Sequence, residues 1–398
     1  MKKYLLSTTC LILVIFWPIQ AQQIAHDAEI PKENRGSTPE RFSTISEINY
    51  LNGLALRGFN LDGQGLLVES LDGHTVYADL NSATGFNPAS VIKVATSFTA
   101  LFKLGPEYHF ETAFYMTGEV NKKTRTLNGD LILLSTGDPV LNATDMSRLI
   151  RQVTLQGIGR VNGDVIVTGP FTYNAFLSTE IATKRLEALL KKLGVRFSGP
   201  IQKGSLRGTK IASHLSSSLR DIVFVQNAHS VNQTAERLGE AVGGPRGVEK
   251  FLVQEVGVGN AEISISRTSG LDYNRITPHA TVALLRHLVG WLNLHNMLPE
   301  DIMPVAGIDP GTLRGRFTNV EARGAIVAKT GTLPGTEGGI STLAGIAYTA
   351  RGPVLFAIFN TRGPVATYRR MQDGLVKDLI AECGGSQLVS ASARRSNN

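Results

Sequence analysis

The chain has 398 residues, 42% hydrophobic and 18% charged, with 40 Lys and Arg against 33 Asp and Glu for a net charge of +7. This is the composition of an ordinary soluble globular protein, long enough for one large domain and a smaller one. No arginine-rich, aromatic-interleaved segment accompanies the basic charge, which excludes a nucleic-acid partner and leaves mild, non-specific attraction to anions or a merely solvated surface.

Met1-Lys2-Lys3, an apolar run around Cys10 to Trp17, and Pro18-Ile19-Gln20-Ala21 predict a signal peptide over 1–21, an uncleaved anchor being the alternative. No later segment is apolar for long enough to cross a membrane, so the mature protein is expected to be exported and soluble. Cleavage would remove Cys10 and leave Cys383 alone, with no internal disulfide. Residues 22–42 read as a flexible polar leader. A helix is expected near Ser43 to Asn52, then strands Gly65 to Leu71 and His74 to Leu80 joined by the turn signal Asp72-Gly73. Asn87-Pro88 predicts a helix start, with Asn87 as N-cap and Gly105 as the stop.

Residues 107–205 read as a small α/β insertion. Its strands are expected at Phe110 to Thr117, Asp130 to Ser135 and Asp164 to Thr168, and its helices at Asp145 to Leu155 and Thr183 to Leu193. Helical patterns return at Leu215 to Phe224, Val231 to Val242, Val248 to Val256 and Thr277 to Leu294. A meander follows, Ala325 to Leu333, Ser341 to Thr349 and Pro353 to Thr361, closed by a helix at Tyr368 to Glu382 and a disordered tail over 384–398. The main domain is thus expected from 43–106 and 206–383.

Three short patterns carry chemistry. Ser90 and Lys93 lie one helical turn apart, so the amine can reach the hydroxyl among the free N–H groups of a first turn. Ser230-Val231-Asn232, at a helix entrance, offers a hydroxyl for proton shuttling and an amide for a substrate carbonyl. Lys329-Thr330-Gly331-Thr332 ends an apolar strand, where Lys329 would give a fixed positive charge for a carboxylate and Gly331 an open backbone. Each alone has a bland reading: a capped helix, an N-cap, a lysine at a strand end.

Together, in this order, Ser90-x-x-Lys93, Ser230-x-Asn232 and Lys329-Thr330-Gly331 resemble the motifs of the penicillin-binding proteins and serine β-lactamases. The finer resemblance is to the D-alanyl-D-alanine carboxypeptidase/endopeptidase family of low-molecular-mass class C penicillin-binding proteins. It rests on Gly129-Asp130-Leu131, Gly137-Asp138-Pro139, Gly163-Asp164-Val165, Ala235-Glu236-Arg237-Leu238, Ser269-Gly270-Leu271, Pro304-Val305-Ala306-Gly307 and Gly311-Thr312-Leu313.

The resemblance implies an α+β, β-lactamase/transpeptidase-like fold: an antiparallel sheet flanked by helices plus a helical subdomain. The gap between Ser90 and Ser230 leaves room for one small inserted α/β domain, where long members carry two. It further implies an enzyme of the bacterial periplasm or envelope, acting on peptidoglycan stem peptides and acylated by β-lactams, with no cofactor or metal. Ser90 would be the nucleophile and Lys93 its base, with desolvation and the charge of Lys329 lowering the Lys93 pKa. Ser230 would relay a proton, Asn232 would hold the acyl-side amide, and Lys329 with Thr330 the terminal carboxylate. The N–H groups of Ser90 and Thr332 would form the oxyanion hole. Three features depart from the pattern: the single insertion, 171–177 without Trp or Asp, and His229 where a Lys is usual. A serine β-lactamase is the nearest alternative, though no Glu occurs over 264–273; a non-catalytic wall-binding or sensor protein is the other.

Overall fold

The computed structural model describes residues 40–42, 44–174 and 178–389; the expected signal peptide, most of the leader, residues 175–177 and the end of the tail lie outside them. The end of the expected leader is an edge strand: β1 (Glu40–Arg41) runs parallel to what becomes β3. Helix α1 (Ile45–Ala55) is capped by the Thr44 side chain, which accepts from Glu47 N and so satisfies one orphan donor. The hairpin β2 (Gln64–Ser70) and β3 (Thr75–Leu80) turns at Asp72-Gly73, where Gly73 takes φ +77°. Helix α2 (Lys93–Leu104) follows and stops at Gly105, φ +87°.

The chain next runs through β4 (Glu111–Met116), β5 (Glu119–Asn121), β6 (Thr126–Asn128), β7 (Leu131–Ser135), α3 (Ala143–Leu155), β8 (Arg160–Val161), β9 (Val165–Thr168), α4 (Thr179–Lys192), β10 (Gln202–Lys203) and β11 (Thr209–Leu215). These strands form a sheet of order β10-β9-β7-β4-β11 and a smaller one, β5-β6-β8. Both helices and the larger sheet bury a core of their own, with Phe114, Leu133, Leu149, Ile150 and Leu186 fully enclosed. The structure differs from expectation at β11, whose last residue, Leu215, was expected to open a helix. Its seven residues are mostly exposed, so the apolar alternation that marks a half-buried strand is absent.

Helices α5 (Leu219–His229), α6 (Asn232–Ala241) and α7 (Gly244–Phe251) come next, then the short pair β12 (Ile263–Ser264) and β13 (Arg275–Ile276), and α8 (Pro278–Leu294). The chain ends in β14 (Ile326–Leu333), β15 (Ile340–Thr349), β16 (Gly352–Thr361) and α9 (Val365–Glu382). The central sheet has the order β1-β3-β2-β16-β15-β14, antiparallel except at β1.

Both faces of this sheet are covered, which is why β15 and β16 read as nearly continuous apolar runs. Successive residues point to opposite faces. Leu355, Ala357 and Phe359 therefore join the core with α2 and α8, while Val354, Phe356 and Ile358 join the one with α1 and α9. The expected tail starts in ordered structure: Gln387 N donates to Tyr348 O and Val389 N to Gly324 O. Among the described residues no helix is long and apolar enough to cross a membrane.

Candidate active site

The sheet edge β14, the start of α2 and the α5–α6 junction meet at one place. Asn87 is not the helix N-cap expected: its Oδ1 accepts from Ala89 N at 3.0 Å, but the first turn is a tight one over Ala89–Ile92 with Pro88 before it, and the α-helix begins only at Lys93. The reason is Ala89, held at φ +47°, a left-handed conformation that costs a residue with a Cβ about 1–2 kcal/mol. Two glycines leave the room for it. A Cβ on Gly270 would lie 2.0 Å from Ala89 O, and one on Gly331 would lie 2.6 Å from Pro88 O. The open backbone expected at Gly331 is therefore filled by the turn that carries Ser90, and Thr342 Oγ1 donates to Pro88 O at 2.7 Å to fasten it.

Lys93 is fully buried, and its Nζ lies 2.9 Å from Ser90 Oγ and 2.7 Å from Asn232 Oδ1, with Ser269 O as a third close neighbour. Asn232 Oδ1 and Ser269 O can only accept, so once the amine is neutral they take its two N–H bonds, whereas the ammonium donates to all three neighbours. The lone pair of the neutral form then points at the Ser90 hydroxyl. Burial pushes the Lys93 pKa down to about 7, against the pull of the Glu236 carboxylate, so a large neutral fraction exists at neutral pH.

Ser230 does not open a helix. It ends α5 in the left-handed region, φ 57° and ψ 44°, and Val231 N turns back to Gln226 O. This aims its hydroxyl at Lys329 Nζ, which donates to it at 3.0 Å and to Thr330 O at 2.7 Å. Lys329 is wholly enclosed, and desolvation followed by the charge of Lys93 holds its pKa well below the usual range. The repulsion between the two buried lysines is mutual, and Lys329 gives up its proton more readily than a surface lysine.

Strand β14 is the free edge of the sheet. Ile326 O accepts from Ala306 N and Ala328 N donates to Pro304 O, so its even-numbered residues face away from β15. By the same alternation Thr330 and Thr332 present their backbone groups to the open edge. Thr330 Oγ1 donates to Thr312 Oγ1 at 2.8 Å, and Arg369 Nη2, from the exposed face of α9, donates to Thr332 Oγ1 at 2.9 Å.

Several residues at this site carry no role in the sequence reading. Glu236 accepts from Arg267 Nε at 3.2 Å, Thr268 Oγ1 at 3.2 Å and Ser269 N at 3.3 Å, and so positions the carbonyl that meets Lys93. Gly239 lets Thr268 approach, since a Cβ there would lie 2.3 Å from Thr268 Oγ1. Gly311 lets Ala228 O approach, placing Thr312 beside Thr330. The short family segments around these residues are the signal that could have found them. His229 is exposed beside the site with no bond to these groups among the described residues. Replacing Glu236 by Gln removes the charge that favours the ammonium form. The pH at which Ser90 becomes reactive should then move downward in a stopped-flow acylation profile; an unchanged or upward-shifted midpoint contradicts this role.

The chain matches the D-Ala-D-Ala carboxypeptidase 3 (S13) family over residues 57–171 and 168–377. The D-alanyl-D-alanine carboxypeptidase DacB of Haemophilus influenzae is 22% identical over 407 aligned positions, spanning 72% of this chain and 83% of the relative. The crystal structure of penicillin binding protein 4 (DacB) from Haemophilus influenzae superposes with a TM-score of 0.70 at 22% identity, covering 84% of this chain and 99% of that one. The penicillin G-acylated endopeptidase Bd3459 of Bdellovibrio bacteriovorus, solved with an immunity protein, gives 0.67 at 20% identity, covering 82% and 94%. The antiparallel sheet flanked by helices is the fold these structures share. With the family match spanning most of its length, the chain belongs to the D-Ala-D-Ala carboxypeptidase 3 (S13) family and is a serine-type peptidase.

Proposed function

We propose that this protein removes the terminal D-alanine from peptidoglycan stem peptides, and opens cross-links ending in the same D-alanyl carbonyl, through an acyl-enzyme on Ser90. The observation that carries the reading is the Lys93 amine, 2.9 Å from Ser90 Oγ and turned toward it by Asn232 and Ser269. Lys93 takes the Ser90 proton as Oγ bonds the carbonyl carbon. The oxygen that becomes negative sits between the N–H groups of Ser90 and Thr332, each donor worth about 3 kcal/mol. Ser230 delivers a proton to the departing amine as the C–N bond breaks, and Lys329 in its protonated form resupplies Ser230. Water then adds to the ester carbonyl, its proton returning through Ser230 to Lys329, and Lys93 gives its proton back to Ser90 Oγ as the C–O bond breaks. Asn232 also holds the acyl-side amide, and Gly331 keeps the strand close enough to the nucleophile turn for Thr332 to reach. Penicillins, which copy the D-alanyl terminus, acylate the same hydroxyl. The expected signal places the enzyme outside the cytoplasm, and 107–215, with its own sheets and core, is proposed as the inserted domain.

Incubating the protein with monomeric and cross-linked muropeptides and resolving the products by mass tests the reading. D-alanine release or cross-link opening is expected, and neither activity from intact protein rejects it.

Arg369, bonded to Thr332 from the exposed face of α9, supplies a further positive charge near the terminal carboxylate. Arg369→Ala should lower kcat/KM about tenfold to a hundredfold for a peptide with a free C-terminal carboxylate, and little for its C-terminal amide, since a charged hydrogen bond contributes roughly 1.5–3 kcal/mol. Equal losses on both peptides contradict that role.

A further inference from the structure

Far along the chain from these motifs, three arginines share one cavity. β6 and β8 run parallel, pairing Thr126 with Arg160 and Leu127 with Val161. On the other side of β8, Arg160 bridges Arg196, whose N–H donates to Gly159 O at 3.0 Å and whose carbonyl accepts from Val161 N at 2.8 Å. Arg125 O accepts from both Gly159 N at 2.8 Å and Arg160 N at 3.0 Å, so the backbone fixes all three arginines on adjacent segments. Leu127 and Val161 are buried, which turns Thr126 and Arg160 to the opposite face. The guanidinium of Arg125 lies over Gly159: a Cβ there would be 3.5 Å from Nε and 3.6 Å from Cζ. Together with Thr124 and Thr126 these groups line a cavity of about 490 Å³.

Two features make this costly as mere scaffolding. Arg125 sits at φ +53°, in the left-handed region. Like charges on neighbouring strands repel. No carboxylate relieves them: among the described residues none of the three forms an ion pair, whereas Arg148 and Arg207 nearby are paired with Asp145 and Asp130. Guanidinium forks match the oxygens of a phosphate in pairs, and the cavity exceeds one phosphate in size. We propose that Arg125, Arg160 and Arg196 form a second binding site, for a phosphate-bearing anion.

Isothermal titration of the whole protein with inorganic tripolyphosphate at fixed ionic strength tests this. Binding by the wild type is expected, weakened at least tenfold in Arg160→Ala and in Arg196→Ala, and less in Arg160→Lys, which keeps the charge but loses the fork. Both side chains are exposed, so thermal melting and penicillin labelling should match the wild type in these variants. No binding at millimolar tripolyphosphate, or equal affinity in the double variant, overturns the proposal. Citrate binding as tightly as tripolyphosphate overturns the choice of phosphate. Flotation with vesicles of phosphatidylglycerol and phosphatidylcholine, against phosphatidylcholine alone, separates the sources. Arginine-dependent flotation supports the site and makes the phosphate a lipid headgroup; no flotation, with tripolyphosphate binding retained, supports the site and makes it a soluble or polymeric phosphate.

Discussion

Ser90→Ala should leave a folded protein that releases no measurable D-alanine, a loss of about 10⁶-fold, and that gains no mass from penicillin. The hydroxyl is only half-buried, and its removal leaves the Lys93 amine with both of its buried acceptors, Asn232 Oδ1 and Ser269 O. Nothing in the packing of the turn depends on Oγ, whose place is set by Ala89, Asn87, Gly270 and Gly331. Intact-protein mass spectrometry after penicillin treatment checks the result. An adduct of wild-type stoichiometry on the variant removes Ser90 from the mechanism.

Lys93→Met should cost about 10³-fold in acylation rate, within the range of a lost general base. A pH-stability comparison distinguishes this from misfolding. The folded-state pKa of Lys93 is lowered to about 7 from a reference of 10.5, so between these values the unfolded chain binds more protons than the folded one. Stability must therefore rise as pH rises from about 7 to 10.5, with a slope approaching about 1.4 kcal/mol per unit from this group, and fall back as pH drops toward 7. Lys329, lowered in the same direction, adds to the slope. Denaturant melts between pH 7 and about 8.5, below the range where the buried tyrosines and Cys383, raised by burial, pull stability down, should show a shallower rise in Lys93→Met and a shallower one again once Lys329→Met is added. A slope unchanged in Lys93→Met would show that the amine is not buried as described.

That Ser90, Lys93, Asn232, Ser230 and Lys329 lie together was legible from local spacing: one helical turn between Ser90 and Lys93, two positions between Ser230 and Asn232. Strands β14 to β16 were legible because a sheet covered on both faces needs apolar residues almost without interruption. What escaped is tertiary. Ala89 and Ser230 adopt left-handed backbone without the glycine that would announce it, so the helix start was placed at Asn87 and Ser230 was read as a helix entrance. Burial of Lys329 is imposed by the sheet and its neighbours, and no local pattern separates it from a lysine in water. Arg369 sits on an exposed helix face like any solvated arginine, and only the fold brings it to Thr332. The carbonyl of Ser269 carries no side-chain signature at all.

The central claim is that the neutral form of the Lys93 amine draws the proton from Ser90. The rate of penicillin acylation of the wild-type protein, followed from pH 5 to 9, tests it most directly. The account predicts a rate that climbs about tenfold per unit and levels off above a midpoint near 7, where Lys93 loses its proton. A rate flat across this range, or one still climbing toward the ordinary lysine value of 10.5, would contradict it.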